Sequence, residues 1–503
     1  AAAPEGLEDF YGQHLSWSDC PDGPAGLQCA TAAVPVDYND PSGRTVPIAL
    51  KRLPASDGEA ELGSLFLNPG GPGEPGTSMA ADAASVYTPE MLAAYDIIGF
   101  DPRGTGESAG LTCWSPEELE QAGDDEQAAS PNGRPAGEDG TPGTDQDDAP
   151  TGAQAAQADG DGADDWDSIV ASGEAVAAKC RQYSQIPDLI DHMSTRDTAR
   201  DLDVLRAVSG QKTLDYLGMS YGTELGYTYA ELFPHNTGRL VLDGAMDSTS
   251  TNHRLTVETA EGYEKALHSY VQACQDGTAG DNCPLTDNVE DGVQQIRDLI
   301  TSADASPLKI SDPDVKVTGT QLKDAIGGYL GIGAWPQLTA ALAPAITQGD
   351  ASGFAELLKQ ASAGVSMAAW TAVMCQDRPA QANGDLWQAQ YEEAQKVAPT
   401  FAGGAGLDMT CTAWGHYSET DPIPQNVHAK GAAPILVVGT TGDPATPYHW
   451  AQALAKQLDS AQLLTWDGNA HVAYIRGNKC ITTAVDDFLL GGQLPQDNFV
   501  CTS

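Results

Sequence analysis

The stretch Thr213-Leu214-Asp215-Tyr216-Leu217-Gly218-Met219-Ser220-Tyr221-Gly222 decides how this chain is read. Residues 213–217 are strand-like, and a helical pattern runs through 223–233. Between them, Gly218 and Gly222 flank Ser220 in a turn too tight for Cβ atoms beside the serine. Strand, sharp turn and helix in that order lift a serine hydroxyl clear of a sheet edge. A second match to the same glycine–serine spacing, Gly106-Glu107-Ser108-Ala109-Gly110, lacks that context. It follows the strand-like residues 95–101 only through the loop Pro102-Arg103-Gly104-Thr105, and Cys113, Trp114 and Pro116 stand where a helix would open. Ser108 is therefore expected to be a loop hydroxyl bonded to backbone.

Working outward from Ser220, strands and helices alternate. Strands are expected at 28–36 and 45–53, joined by the turn Asn39-Asp40-Pro41-Ser42-Gly43, and again at 62–68, 95–101 and 239–242. Helices are expected at 78–95 and 194–208, where Ser194 and Asp197 resemble a capping box. Strands resume at 434–440 and 462–466. This alternation predicts an α/β protein with a mostly parallel sheet covered by helices. Residues 246–430 differ, with helical periodicity at 257–274, 289–301 and 321–330. They read as a large inserted helical cap between a first core segment, 1–245, and a last one, 431–503.

Residues 117–167 interrupt the first segment. They are rich in Asp, Glu, Gly, Pro, Ala and Gln, and Arg134 is their only basic residue. Such a composition buries too little apolar surface to order itself and is expected to be a solvated insertion. Asp159-Gly160-Asp161-Gly162-Ala163-Asp164 hints at a calcium loop but lacks the third ligand and the required glycine, so no metal or cofactor is expected. The insertion carries about a third of the net charge of -46. That charge argues against nucleic acid and anionic membranes as partners. No apolar run is long enough to span a bilayer. The ten cysteines show no zinc-ligand spacing, which points to disulfides and an oxidising compartment. Pairing in sequence order gives Cys20–Cys29, Cys113–Cys180, Cys274–Cys283, Cys375–Cys411 and Cys480–Cys501. The start, Ala1-Ala2-Ala3-Pro4, reads as a mature terminus left after signal removal, hence a secreted protein.

A serine hydroxyl needs a base to take its proton. Of nine histidines, His471 follows the strand-like residues 462–466 through Asp467-Gly468-Asn469-Ala470, a loop that reaches the rim of the sheet. His449, inside a helix, and His428, before a strand, read as structural. The acid is expected to end the preceding strand, and Asp443 in Thr441-Gly442-Asp443-Pro444 does so. Asp467 reads as a turn-forming aspartate. A developing oxyanion needs two backbone N–H donors. Tyr221, next to the serine, supplies one. Gly71, in Asn68-Pro69-Gly70-Gly71-Pro72-Gly73, is the expected second.

With these residues in view, the chain resembles the secreted bacterial tripeptidyl aminopeptidases, serine exopeptidases of the α/β-hydrolase fold related to prolyl aminopeptidases. The likeness rests on Asn68-Pro69-Gly70-Gly71-Pro72-Gly73, Asp101-Pro102-Arg103-Gly104-Thr105-Gly106-Glu107-Ser108, Gly218-Met219-Ser220-Tyr221-Gly222-Thr223, Gly442-Asp443-Pro444-Ala445-Thr446-Pro447 and Cys375-Gln376-Asp377. Glu74 and Glu224 depart from it, at positions where small or aromatic residues are expected. The resemblance implies an α/β-hydrolase fold and removal of short peptides, often tripeptides, from free N-termini of peptides or proteins. A monomer is expected. Such an enzyme must hold the substrate ammonium, and a buried carboxylate is the natural anchor. Glu74, Glu224, Glu258 and Asp377 are the candidates. Two other readings share part of the pattern: an esterase or lipase on small acyl groups, and a non-catalytic binding scaffold.

Overall fold

A computed structural model describes residues 3–118, 163–286, 288–311, 316–355, 357–358, 365–403, 406–415, 422–496 and 498–502. Among them the strands are β1 (Ser18–Asp19), β2 (Gln28–Pro35), β3 (Thr45–Leu53), β4 (Gly63–Asn68), β5 (Tyr95–Phe100), β6 (Leu214–Met219), β7 (Thr237–Asp243), β8 (Leu308–Lys309), β9 (Lys316–Val317), β10 (Ile435–Thr440), β11 (Ala461–Asp467) and β12 (Phe499–Thr502). Ten of these form one sheet in the order β1-β2-β3-β5-β4-β6-β7-β10-β11-β12. The first three are antiparallel, and β3 meets β5 antiparallel. From β5 through β12 every pairing is parallel. The fold is that of an α/β hydrolase.

The central strands are apolar on both faces because helices cover both. In β10 every residue is buried. Ile435 and Val437 enter the core on one side of the sheet, and Leu436 and Val438 enter the core on the other. Residues in β6 divide the same way, Leu214 and Tyr216 against Leu217 and Met219. Burying a side chain of this size contributes roughly 1.5–3 kcal/mol, so a charge at Val437 would break the packing of both flanking strands.

The expected helix at 78–95 is two helices, Thr77–Val86 and Pro89–Ala94. Pro89 lacks an N–H and disfavours helical backbone at Thr88, whose hydroxyl instead caps the second helix. The helix Thr195–Val208 carries half of the expected capping box: Ser194 accepts from the Asp197 N–H at 3.1 Å, while the Asp197 carboxylate turns to Arg200. Its Asp201 pairs through both oxygens with the fully buried Arg103, which also donates to the carbonyls of Pro35, Val36 and His192. That ties the Asp101-to-Gly104 loop into the core. Residues 163–167, grouped above with the acidic insertion, open the helix Ala163–Tyr183 instead. The alanine-rich run that follows them favours continued helix. Residues 119–162 of that insertion, with the first part of the calcium-like run, lie outside the described residues.

Between β7 and β10 the chain is mainly helical. Helices Asn252–Gln275, Val289–Ala305, Gly319–Ile332 and Trp335–Gln348 build an apolar core of their own. Helices Met367–Asp377 and Leu407–Trp414 join the core that flanks the sheet. Disulfides link Cys20 to Cys29, Cys113 to Cys180, Cys274 to Cys283, Cys375 to Cys411 and Cys480 to Cys501. Among the described residues no helix is long and apolar enough to cross a membrane.

Candidate active site

Ser220 leaves the C-terminal end of β6 with φ 54° and ψ −122°, a left-handed conformation unusual for a residue with a Cβ. Such strain costs on the order of 1–3 kcal/mol and is held by the surroundings. The Ser220 N–H donates to the Asp243 carbonyl at 2.9 Å, and Thr223 N–H returns to the Ser220 carbonyl at 2.9 Å. Two glycines allow the neighbouring chain to close in. A Cβ on Gly222 would stand 2.8 Å from the Asn68 carbonyl oxygen, and one on Gly70 would stand 2.7 Å from the Met219 oxygen and 3.0 Å from Ser220 Cβ. Glycine is thus required on both sides of the contact between the loop after β4 and the serine turn.

That loop leaves donors free. Gly70 N–H is taken by the Asn68 side chain at 3.0 Å. The N–H groups of Gly71 and Tyr221 have no acceptor among the described residues. Tyr221 also opens the helix Tyr221–Leu232, whose N-terminus favours negative charge.

The imidazole sits beyond β11. His471 Nδ1 lies 3.0 Å from each oxygen of Asp443. The Asp443 carboxylate is further held by the N–H groups of Ala445 and Thr446, both at 2.9 Å, and by the Thr446 hydroxyl at 3.1 Å. Arg476 donates to the His471 carbonyl, and the His471 N–H donates to the Gly331 carbonyl at 2.7 Å. Burial pulls the His471 pKa down, but the charge and hydrogen bond of Asp443, with Asp243 behind, raise it above the ordinary value. His471 Cε1 approaches Gly244, where a Cβ would stand 3.1 Å away. Gly244 directly follows the residue whose carbonyl binds the Ser220 N–H. The imidazole edge and the serine turn therefore meet across Asp243-Gly244. In this conformation the Ser220 hydroxyl makes no hydrogen bond to a described side chain.

Other residues singled out from sequence lie elsewhere. Ser108 is buried, donating to the Asp101 carbonyl and accepting from Ala49 N–H. Asp467 accepts from the Thr441 hydroxyl at 2.9 Å. His428 and His449 are exposed and face Asp459 and Glu258. Of the four carboxylates considered as ammonium anchors, three are already engaged. Glu224 forms a buried pair with Arg378. Glu258 is held by Arg254, His449 and Trp450. Asp377 accepts from the N–H and hydroxyl of Thr195 at 2.7 and 2.6 Å. Burial pushes the Asp377 carboxyl up to about 7, with the Glu224 charge adding and Arg378 opposing. All three thus already have partners within the protein, which favours structural roles for them. Glu74 has no such partner among the described residues.

Sequence reasoning missed Thr446 and Asp243. Thr446 lies three residues after Asp443, a spacing at which Asp side chains bind their own backbone. Asp243 ends β7 and accepts from the N–H groups of Ala473 and Tyr474, fixing the loop that carries His471. Burial pushes its carboxyl up to about 6, against those hydrogen bonds. Its place at the C-terminal end of a parallel strand was the available signal.

A serine at the turn between strand and helix, beside an aspartate–histidine pair and free backbone donors, defines the class: a serine hydrolase. The family models agree. Residues 63–281 match the α/β-hydrolase fold and residues 398–501 match TAP-like proteins. The chain is 30% identical over 537 residues to serine protease Hip1 of Mycobacterium tuberculosis, covering 98% of this chain and 92% of that protein. It is 28% identical over 523 residues to the tripeptidyl aminopeptidase of Streptomyces lividans, covering 97% and 86%. It is 32% identical over 500 residues to carboxylesterase B of Mycobacterium tuberculosis, covering 94% and 86%. The chain belongs to the α/β-hydrolase family that contains these proteins, and it is a serine hydrolase of that family.

Proposed function

We propose that the protein is a secreted serine exopeptidase that releases short peptides, most simply tripeptides, from free N-termini through an acyl-enzyme on Ser220. His471 takes the serine proton as the hydroxyl attacks the scissile carbonyl, then returns it to the leaving amine. Asp443 holds the imidazole tautomer that presents Nε2 to the serine. The N–H groups of Gly71 and Tyr221 receive the oxyanion. Water then resolves the acyl-enzyme by the same proton path in reverse. The observation that carries this reading is the His471–Asp443 pair, 3.0 Å apart and held across Gly244 from the serine turn. Proton transfer then requires the serine hydroxyl and the imidazole Nε2 to come within hydrogen-bonding distance, and catalytic hydrogen bonds commonly tighten only with substrate bound.

The helices of 246–430 would act as a cap. Their Gly331 carbonyl bonds His471 N–H, and Ser366 N–H bonds the Gly73 carbonyl at 2.9 Å. A lid that touches both halves of the site suits a chamber for one peptide end. Five disulfides favour an oxidising, extracellular setting.

Mass spectrometry of the products from a free-amine decapeptide tests the proposal. Stepwise loss of three-residue units from the N-terminus is the expected result. Cleavage only in the interior, or none, would refute it. The relative named carboxylesterase B favours a second reading, esterase action on small acyl groups. Turnover of a p-nitrophenyl ester with no cleavage of any free-amine peptide would select that reading.

A further inference from the structure

Other carboxylates around the serine turn have partners within the protein. Asp443 accepts from His471, Ala445 and Thr446. Asp243 accepts from Ala473 and Tyr474, Glu224 from Arg378, and Asp377 from Thr195. Glu74 is different. Its side chain is half-buried, yet among the described residues no donor lies within hydrogen-bonding distance and no cation is paired with it. Burial raises its pKa, opposed only by the charge of His471, which places the carboxyl within electrostatic range of the imidazole. A carboxylate partly withdrawn from water without a protein partner loses some hydration, and a bound cation would offset that loss.

Its placement is also fixed. Glu74 follows the loop of Gly70 to Gly73, and its backbone N–H and Cβ pack at 3.0 and 3.4 Å from the position a Gly71 Cβ would take. On the other side Gly73 is pressed against the helix Met367–Asp377, so that a Cβ there would lie 2.5 Å from the Ser366 carbonyl oxygen. Glu74 thus stands at the seam between the oxyanion loop and the helices above it. It is four residues from Gly70, which itself touches Ser220, so by chain contour its Cα lies at most about 15 Å from that contact. An extended tripeptide spans roughly 10 Å. The two lengths are of the same order, which makes Glu74 a candidate partner for the ammonium of a short peptide whose carbonyl sits at Ser220.

We infer that Glu74 binds the N-terminal ammonium of the substrate and so sets where along the peptide the chain is cut. This rests on the exopeptidase reading above and names the group that would enforce it. The same carboxylate chemistry would also hold a lysine or arginine side chain, so the test separates the two cations. Cleavage rates are measured on a tripeptide anilide, its N-acetyl analogue, and an N-acetyl analogue with lysine as its first residue. Each is run with wild type, Glu74→Gln and Glu74→Asp. The readout is the ratio of kcat/KM between substrates for one enzyme, so any general loss of activity cancels.

Wild type is expected to prefer the free amine, and Glu74→Gln to lose about 10- to 100-fold of that preference, the effect of losing a charge-assisted hydrogen bond. Glu74→Asp should restore part of it. A preference for the free amine that survives intact in Glu74→Gln overturns the assignment while leaving the exopeptidase reading in place. Equal cleavage of free and acetylated peptides by wild type refutes the exopeptidase reading itself. A Glu74→Gln defect confined to the acetylated lysine substrate overturns the N-terminal ammonium in favour of a basic side chain.

Discussion

The two halves of the site are built on opposite plans. On the Asp443 side every acceptor is filled: each oxygen of the carboxylate has more than one donor, and the His471 backbone is held at both its N–H and its carbonyl. On the Gly71 side the N–H groups of Gly71 and Tyr221 and the carboxylate of Glu74 have no protein partner among the described residues. The difference suits the role proposed for each half. A proton-transfer pair must keep one geometry through the reaction, so its bonds are made in advance. A half that meets substrate must keep its bonding capacity in reserve, and folding bears the cost.

Three experiments would break or sharpen that contrast. The largest effect is expected at the serine turn. Ser220→Ala should lower kcat by about 10⁶, and Asp443→Asn by about 10⁴ through the wrong imidazole tautomer. Both are read from initial rates with active sites counted in the wild type by fluorophosphonate labelling. A Ser220→Ala enzyme of undiminished rate would remove the basis for the contrast.

Next in size is the stability of paired against unpaired carboxylates. Glu224→Ala strands the buried Arg378 guanidinium and should cost about 3–5 kcal/mol. Glu74→Gln gives up no protein contact and should change stability by less than about 0.5 kcal/mol, or raise it. Urea unfolding measures both, and equal losses would show that Glu74 is structurally engaged after all.

The smallest effect is on pH dependence. Only neutral His471 can take the serine proton, and its pKa is raised because Asp443 and Asp243 outweigh burial. Activity should therefore be lost as pH falls, with kcat/KM halved above the ordinary histidine value of about 6.5. Asp443→Asn should move that midpoint to lower pH in whatever activity remains. A midpoint below about 6 in the wild type would mean that burial, and not the carboxylate, governs the imidazole.

Much of this arrangement was legible from local pattern. Residues 45–53 read as a strand and form β3 over the same span. Ser220 and Asp443 were singled out because each closely follows a strand of the parallel sheet, and His471 because it follows the last long one; the structure brings His471 and Asp443 together. The Ser108 decoy was rejected for want of a helix, and it proves to be a buried loop hydroxyl. What failed was partnership. Glu74, Glu224, Glu258 and Asp377 are alike as letters in a sequence. Nothing local shows that Arg378 will lie against a glutamate 154 positions earlier.

Sequence alone determined the sheet, its turn at Ser220 and the order of serine, acid and histidine. Those follow from side-chain period, glycine at positions that admit no Cβ, and polar residues at strand ends, all properties of a few neighbouring residues. Only the tertiary structure decided which charges have partners within the protein and which do not. That depends on cations and donors brought in from distant segments, and Coulomb and hydrogen-bond energies are set by distances in space, which the spacing along the chain does not fix.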